Sequence, residues 1–204
     1  MARNAEQNQQ IKDERQQQIL SCAVKLFATR GLAATRVSDI AKAVGMSQGL
    51  LYHYYPSKED IFVDIVRMAF LKMNAAARAL ETQKQSVKDK LGFAVPKILN
   101  DLERSEDFAW YSTLITMASI SDAIPPEAAE IIRKEREVPY LAMTRIFRQG
   151  QKEGSVRQCD AKALSLVFWS AIKGLALQKT YVGKSYRSPD ASVLLDLIFE
   201  EKTS

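Results

Sequence analysis

The chain is short of the residues on which most catalytic chemistry depends. It has one histidine, His53, and two cysteines, Cys22 and Cys159, in 204 residues. A zinc site built from imidazole and thiolate needs more ligands than these scattered three readily supply. Two distant cysteines give no disulfide framework, and Cys22 falls in an apolar helical pattern, where a thiol packs as an inert small hydrophobe. A Ser-His-Asp triad would have to use His53 as its base, and no nucleophile elbow surrounds it. Neither a phosphate-binding loop nor a Gly-rich dinucleotide fingerprint occurs. The sequence points to no catalytic residue, no metal and no cofactor. An enzyme using only carboxylates or a lysine stays open, but no spacing of carboxylates suggests one.

Long apolar runs are missing as well. No stretch approaches the ~20 residues of a membrane span. The opening MARNAEQNQQIKDERQQQ lacks the apolar segment of a secretory signal, so the expected setting is the cytoplasm, with no membrane partner. Sustained period-2 alternation, hairpin turn signals and internal repeats are also absent. What is present is 47% apolar residues, ample for a core, and a net charge of +5 that suits a polyanion partner without requiring one. The charge is uneven: residues 30–58 hold Arg30, Arg36, Lys42 and Lys58 against Asp39 alone. A solvated face would look similar.

Helical patterning fills the chain. Residues 1–10, polar and glutamine-rich, read as a flexible tail. Ile19, Leu20, Ala23, Leu26 and Phe27 form one apolar stripe, and Gly31 ends that helix. Val37, Ile40, Ala41 and Val44 give a short second helix its inner face. Gly45 and Met46 make a tight turn, and Ser47 caps a third helix reaching about Tyr54. After Pro56, the run Ser57-Lys-Glu-Asp60 resembles a capping box and launches a fourth helix toward Leu80. Five more helices are expected near 86–104, 107–122, 127–152, 161–182 and 190–201. Pro125-Pro126, Gly154 and Pro189 mark junctions, and Pro96 and Pro139 should kink or interrupt the helices that contain them. The expected fold is all-α, with about nine helices.

Residues 37–54 have the layout of a helix-turn-helix. With Leu50 and Leu51 anchored inward, Ser47, Gln48, Gly49, Tyr52 and His53 are left to face outward. A groove-reading helix needs small or hydrogen-bonding side chains near its N-terminus, where they meet base edges. Gln48 can pair bidentately with adenine, Ser47 can reach a base or a phosphate, and Gly49 lets the backbone come close. Tyr52 and Lys58 suit phosphate contacts, Lys58 standing at the positive end of the fourth helix. A small helical hairpin with a solvated polar face would have the same spacing.

Four stretches carry a closer likeness: Phe27-Ala-Thr-Arg-Gly31, Thr35-Arg-Val-Ser-Asp-Ile-Ala41, Val44-Gly-Met-Ser-Gln-Gly-Leu-Leu-Tyr52 and Tyr55-Pro-Ser-Lys-Glu59. Over about fifty contiguous residues the chain resembles the tetracycline-repressor (TetR) family of bacterial regulators. The resemblance implies a three-helix DNA-binding domain over residues 1–56, joined by the fourth helix to a helical ligand-binding and dimerisation domain over 57–204. It further implies DNA contacts from Arg36, Val37 and Ser38, from Ser47, Gln48, Gly49, Tyr52 and His53, and from Lys58 on a phosphate. Two departures stand out. Position 36 is often a capping Thr or Ser in the family, so with Arg36 here the cap falls to Thr35 or Ser38. The family's common Phe is Tyr55, whose hydroxyl needs a partner or an exit to water.

Beyond the fourth helix the resemblance is one of length and general pattern. Residues 161–181 and 191–199 are apolar enough to be left partly exposed on a monomer, which points to an interface unless both are internal core. The resemblance implies that the last two long helices pair across a two-fold axis as a four-helix bundle. Among the aromatics between, Trp110, Tyr111 and Trp169 are the candidates to line a cavity for a small molecule of apolar or aromatic character. The expected function is a homodimeric repressor that binds an approximately palindromic operator in double-stranded DNA and is released by a small-molecule effector. An activator or global regulator would use the same DNA chemistry, and a helical interaction protein would keep the hairpin without binding DNA.

Overall fold

The computed structural model describes residues 2–199. The described residues form ten α-helices, one 3₁₀ turn at Gly183–Ser185 and a single antiparallel bridge between Val156 and Phe199. No described helix is long and apolar enough to cross a membrane. The helices are α1 (Ala2–Ala34), α2 (Val37–Val44), α3 (Gln48–Tyr52), α4 (Lys58–Thr82), α5 (Val87–Arg104), α6 (Glu106–Ala118), α7 (Pro126–Glu135), α8 (Val138–Lys152), α9 (Ala161–Val182) and α10 (Ala191–Asp196).

The apolar stripe of α1 is buried as its spacing predicts: Ile19, Leu20, Ala23 and Phe27 all lie in the core. Gly31 breaks the helix with φ 77° and ψ 164°, a conformation that favours glycine, and one further turn runs to Ala34. The N-terminal segment differs from expectation. Residues 2–10 continue α1 instead of forming a tail. Ala, Arg, Glu and Gln are good helix formers, and i,i+4 bonds from Gln9 to Asp13 (2.8 Å) and from Gln10 to Glu14 (3.2 Å) add local support.

Proline and packing settle the other boundaries. The helix expected over 127–152 is two helices, because Pro139 lacks the N–H and its ring would crowd the carbonyl of Glu135. The chain therefore breaks after Glu135 and α8 starts with Pro139 in its first turn. Pro96 is carried inside α5. The last helix is six residues long and not the long one expected over 190–201. Beyond Asp196 the backbone leaves the helix so that Arg157 N–H can donate to the Ile198 carbonyl (3.0 Å), and positions 200 and 201 lie outside the described residues.

Three lysines finish helices from a distance. The ammonium of Lys58 donates to carbonyls at the end of α1, that of the buried Lys90 to Glu81 at the end of α4, and that of the buried Lys179 to Glu103 at the end of α5. Each satisfies carbonyls that have no partner within their own helix and places positive charge at the negative end of the dipole.

One core joins α1, α2, α3 and α4 and continues without a break into Leu114, Ile115 and Ala118 of α6 and Ala128 and Ile132 of α7. Phe27 and Phe62 meet edge-to-face at 5.5 Å in its centre. A second core is built from α5, α8, α9 and α10 around Phe147 and Phe168. The N-terminal helices thus rest directly on α6, where Ser21 Oγ donates to the Asp107 carboxylate (2.9 Å) and the Lys25 ammonium lies over the Trp110 ring.

Candidate nucleic-acid interface

The turn between α2 and α3 is set by Gly45, which caps α2 in the left-handed region (φ 76°, ψ 36°), a conformation that strains most residues bearing a Cβ. The Met46 amide returns to the Ala41 carbonyl (3.0 Å) and reverses the chain. Ser47 then opens α3: its Oγ accepts the Leu50 amide at 3.1 Å, the N-cap bond its position predicted. At the start of α2 neither Thr35 nor Ser38 takes the cap. Thr35 is buried and its hydroxyl donates back to the Gly31 carbonyl (2.8 Å), while the Asp39 carboxylate accepts the Arg36 amide (3.3 Å).

Ser47, Gln48, Gly49, Tyr52 and His53 all lie exposed on and beside α3. Gln48 and Tyr52, one turn apart, share a face, and the Gln48 amide donates to the Tyr52 hydroxyl at 3.4 Å. Arg36 and Ser38 are exposed at the start of α2, and Val37 is half-buried against the core. One expectation fails on α3. Leu51 is 0% exposed and anchors the helix, but Leu50 is 46% exposed and points away from the core. A five-residue helix turns only one apolar position fully inward, and Leu51 takes it.

Lys58 is placed otherwise than a phosphate ligand would be. Its ammonium donates to the carbonyls of Leu32 (2.8 Å), Ala33 (3.0 Å) and Thr35 (3.0 Å). Those three bonds use all the donors an ammonium has. Tyr55, whose hydroxyl needed a partner, is buried and donates to Asp64 of α4 at 2.8 Å. Burial, then that carboxylate, holds its phenol protonated well above the usual tyrosine range. Asp64 also pairs with Arg67 (2.8 Å), which reaches Glu127 at the start of α7 (2.5 Å). This line of polar contacts from the end of the helix-turn-helix to α7 had no signal in the sequence, because α4 and α7 lie some sixty residues apart along the chain.

The three candidate ligand residues are not gathered into one site. Trp110 and Tyr111 of α6 pack against the first core, and Trp169 of α9 belongs to the second, with its indole N–H on the Pro139 carbonyl (3.2 Å) and its ring against Phe168. Burial, then Asp107 and Asp64, pushes the Tyr111 phenol up to about 12. Trp110 borders a cavity of about 80 Å³ between α1, α6 and α9, together with Lys25, Glu106, Ala109 and Lys179.

Residues 19–65, from the first buried position of α1 into the first half of α4, match the family described as bacterial regulatory proteins, tetR family. Residues 19–65 are thus a TetR-type N-terminal domain. Among relatives, the HTH-type transcriptional repressor KstR2 of Rhodococcus jostii is 48% identical over 56 residues, covering 28% of each chain. The HTH-type transcriptional regulator AcrR of Shigella flexneri is 32% identical over 103 residues, 50% of this chain and 46% of that one. The chain therefore spans less than half the length of these two relatives. A transcriptional regulator from Saccharomonospora viridis, solved in complex with choline, superposes over 92% of this chain and 99% of its own at 26% identity, with a TM-score of 0.64. The TetR match encloses every residue expected to touch DNA, from Arg36 to Lys58.

Proposed function

We propose that this chain is a TetR-family transcription repressor that binds an approximately palindromic operator as a homodimer and leaves it when a small molecule binds its C-terminal helices. The observation that carries the reading is the α2–turn–α3 unit: a helix capped by Ser47 and anchored by Leu51 that offers Gln48, Gly49, Tyr52 and His53 outward, with Arg36 and Ser38 beside them. Residues 1–56 serve as the DNA-binding unit and 57–204 as the ligand-binding and dimerisation unit, in the cytoplasm. Arg36 is the strongest candidate for the phosphate backbone, Val37 and Ser38 stand next to it, and Gln48 is the residue suited to base recognition.

Dimerisation is assigned to one face of α9. Ala163, Leu166, Val167, Ser170, Gly174, Leu177 and Tyr181 recur at helical spacing and are all exposed. Among the described residues nothing covers this stripe, whose small residues let a second helix approach closely. Because α10 is short, α9 forms most of the contact, with Val193 and Leu197 at its margin. A two-fold axis there gives two copies of α3 facing successive turns of DNA, hence an inverted repeat.

That an effector exists is proposed by analogy with the Saccharomonospora regulator solved in complex with choline, and its entry among the C-terminal helices is this chain's own proposed site. Two mechanical links lead from there to α3. Helix α4, about 37 Å long at 1.5 Å per residue, starts beside the DNA-binding unit and ends in the C-terminal half. Helix α6 bears directly on α1 through Asp107 and Trp110. A shift of either tilts α3 against a half-site of fixed spacing. The test is a pair of titrations, effector with and without the operator. Linkage requires operator to weaken effector binding by the same factor by which effector weakens operator binding, about 5–150-fold. Equal affinities in the two titrations refute the release mechanism, and the absence of DNA binding even at low salt refutes the regulator itself.

A further inference from the structure

The geometry points to Leu50 as a base-reading residue that recognises the methyl group of a thymine in the major groove. This rests on α3 being the groove-reading helix. Leu50 sits two residues from Gln48, on the short helix α3, and is 46% exposed while its neighbour Leu51 is fully buried. Its backbone amide is held by the Ser47 cap, so its Cα–Cβ bond leaves an ordered first turn of α3. The preceding Gly49 has nothing within 4 Å of where its Cβ would be, so the backbone on that side is open to close approach by another surface. An apolar side chain held out from a polar helix gains nothing in the free protein. It gains when it meets an apolar group on the ligand, and the major groove offers one such group, the thymine C5 methyl.

The neighbours agree with this assignment. Gln48 is suited to adenine N6 and N7, and adenine is always paired with thymine, so both side chains fit one A·T-rich step in each half-site. Ser47 on the same turn supplies only a small hydroxyl, which is engaged as the cap, and Tyr52 lies a turn further on. Leu50 is thus the one large apolar side chain that the turn carrying Gln48 sets toward the DNA.

The experiment uses the full-length chain and an inverted-repeat duplex selected with it from a random double-stranded library. Each thymine of the half-site is replaced in turn, symmetrically, by deoxyuridine, which removes only the methyl, and affinity is measured for the wild type and for Leu50→Ala. At one thymine the wild type should lose about fourfold per half-site, which corresponds to about 0.8 kcal/mol for one apolar carbon, and Leu50→Ala should lose nothing. Placing a C·G pair at that position should weaken the wild type, and 5-methylcytosine there should recover the same factor. Leu50 is exposed, so circular dichroism of the variant should match the wild type. If wild type and Leu50→Ala respond alike to deoxyuridine at every position while both bind the selected duplex, Leu50 reads no methyl, and the regulator reading still stands. If no duplex is enriched and none is bound at low salt, both readings fall together.

Discussion

Replacing Lys58 by Met keeps the stem of the side chain and removes the ammonium that ties the end of α1 to the first turn of α4. Hydrogen bonds to a charged group are each worth about 1.5–3 kcal/mol when one partner is deleted. Only two of the three carbonyls, those of Leu32 and Thr35, are partly buried and so poorly placed to regain water, whereas that of Ala33 is exposed. Releasing the lysine also returns up to about 2 kcal/mol of side-chain freedom. The net loss should be about 2–3 kcal/mol, and in a chain of this size the melting temperature should fall by about 5–10 °C. Operator affinity should fall by the same factor at every salt concentration, because the corner between α1 and α2 loosens and α3 is held less well. A lysine on a phosphate behaves differently: its removal leaves stability alone and lowers the salt slope by about one for each phosphate it had neutralised. Scanning calorimetry and a binding titration from about 50 to about 200 mM salt separate the two. An unchanged melting temperature with a slope reduced by about one per half-site would show that Lys58 serves DNA and not the fold.

Four further outcomes are expected. Gln48→Ala should relax discrimination at one base position by about 1–3 kcal/mol per half-site, read by competition among single-base variants of the operator; unchanged preference at every position would remove Gln48 from base recognition. Leu166→Glu with Leu177→Glu should give a monomer in sedimentation equilibrium, because both charges fall on the exposed stripe of α9, and a retained dimer would place the interface elsewhere. Gly150→Ala should destabilise by about 1–3 kcal/mol through overpacking, since a Cβ there would lie 2.3 Å from Val156 Cγ2 and 2.8 Å from Val87 Cγ1; Val156→Ala in the same chain should return part of the loss in a denaturation series. Stability should decline as pH rises above about 10, because the unfolded chain ionises its tyrosines near there while the folded chain keeps Tyr55 and Tyr111 protonated, Tyr111 to about 12. Tyr55→Phe should flatten that decline, and an unaltered alkaline profile would show that burial and the Asp64 contact together do not hold the Tyr55 phenol protonated.

Whatever depends on neighbours within about one helical turn could be read along the chain. The stripe of α1, the tight turn at Gly45 and the caps at Ser47 and Ser57 are local events, and each is present. The helical class follows from the same local periodicity, and the TetR likeness from fixed spacings in residues 27–59. Packing chose which of two adjacent apolar residues goes inside: Leu50 and Leu51 are equivalent as composition, and only the direction of α3 against α1 and α2 buries one and exposes the other. It set the use of charge too. Lys58, Lys90 and Lys179 look like surface cations along the chain, yet each finishes a helix through a carbonyl 26, 9 and 76 positions away, respectively. It separated Trp110 and Tyr111 from Trp169, because side chains that are all apolar and aromatic carry no label for the core they join. Pairs such as Tyr55 with Asp64, Arg67 with Glu127 and Ser21 with Asp107 exist only once the helices are packed, since a hydroxyl or a carboxylate acquires its partner from the fold and not from its place in the chain.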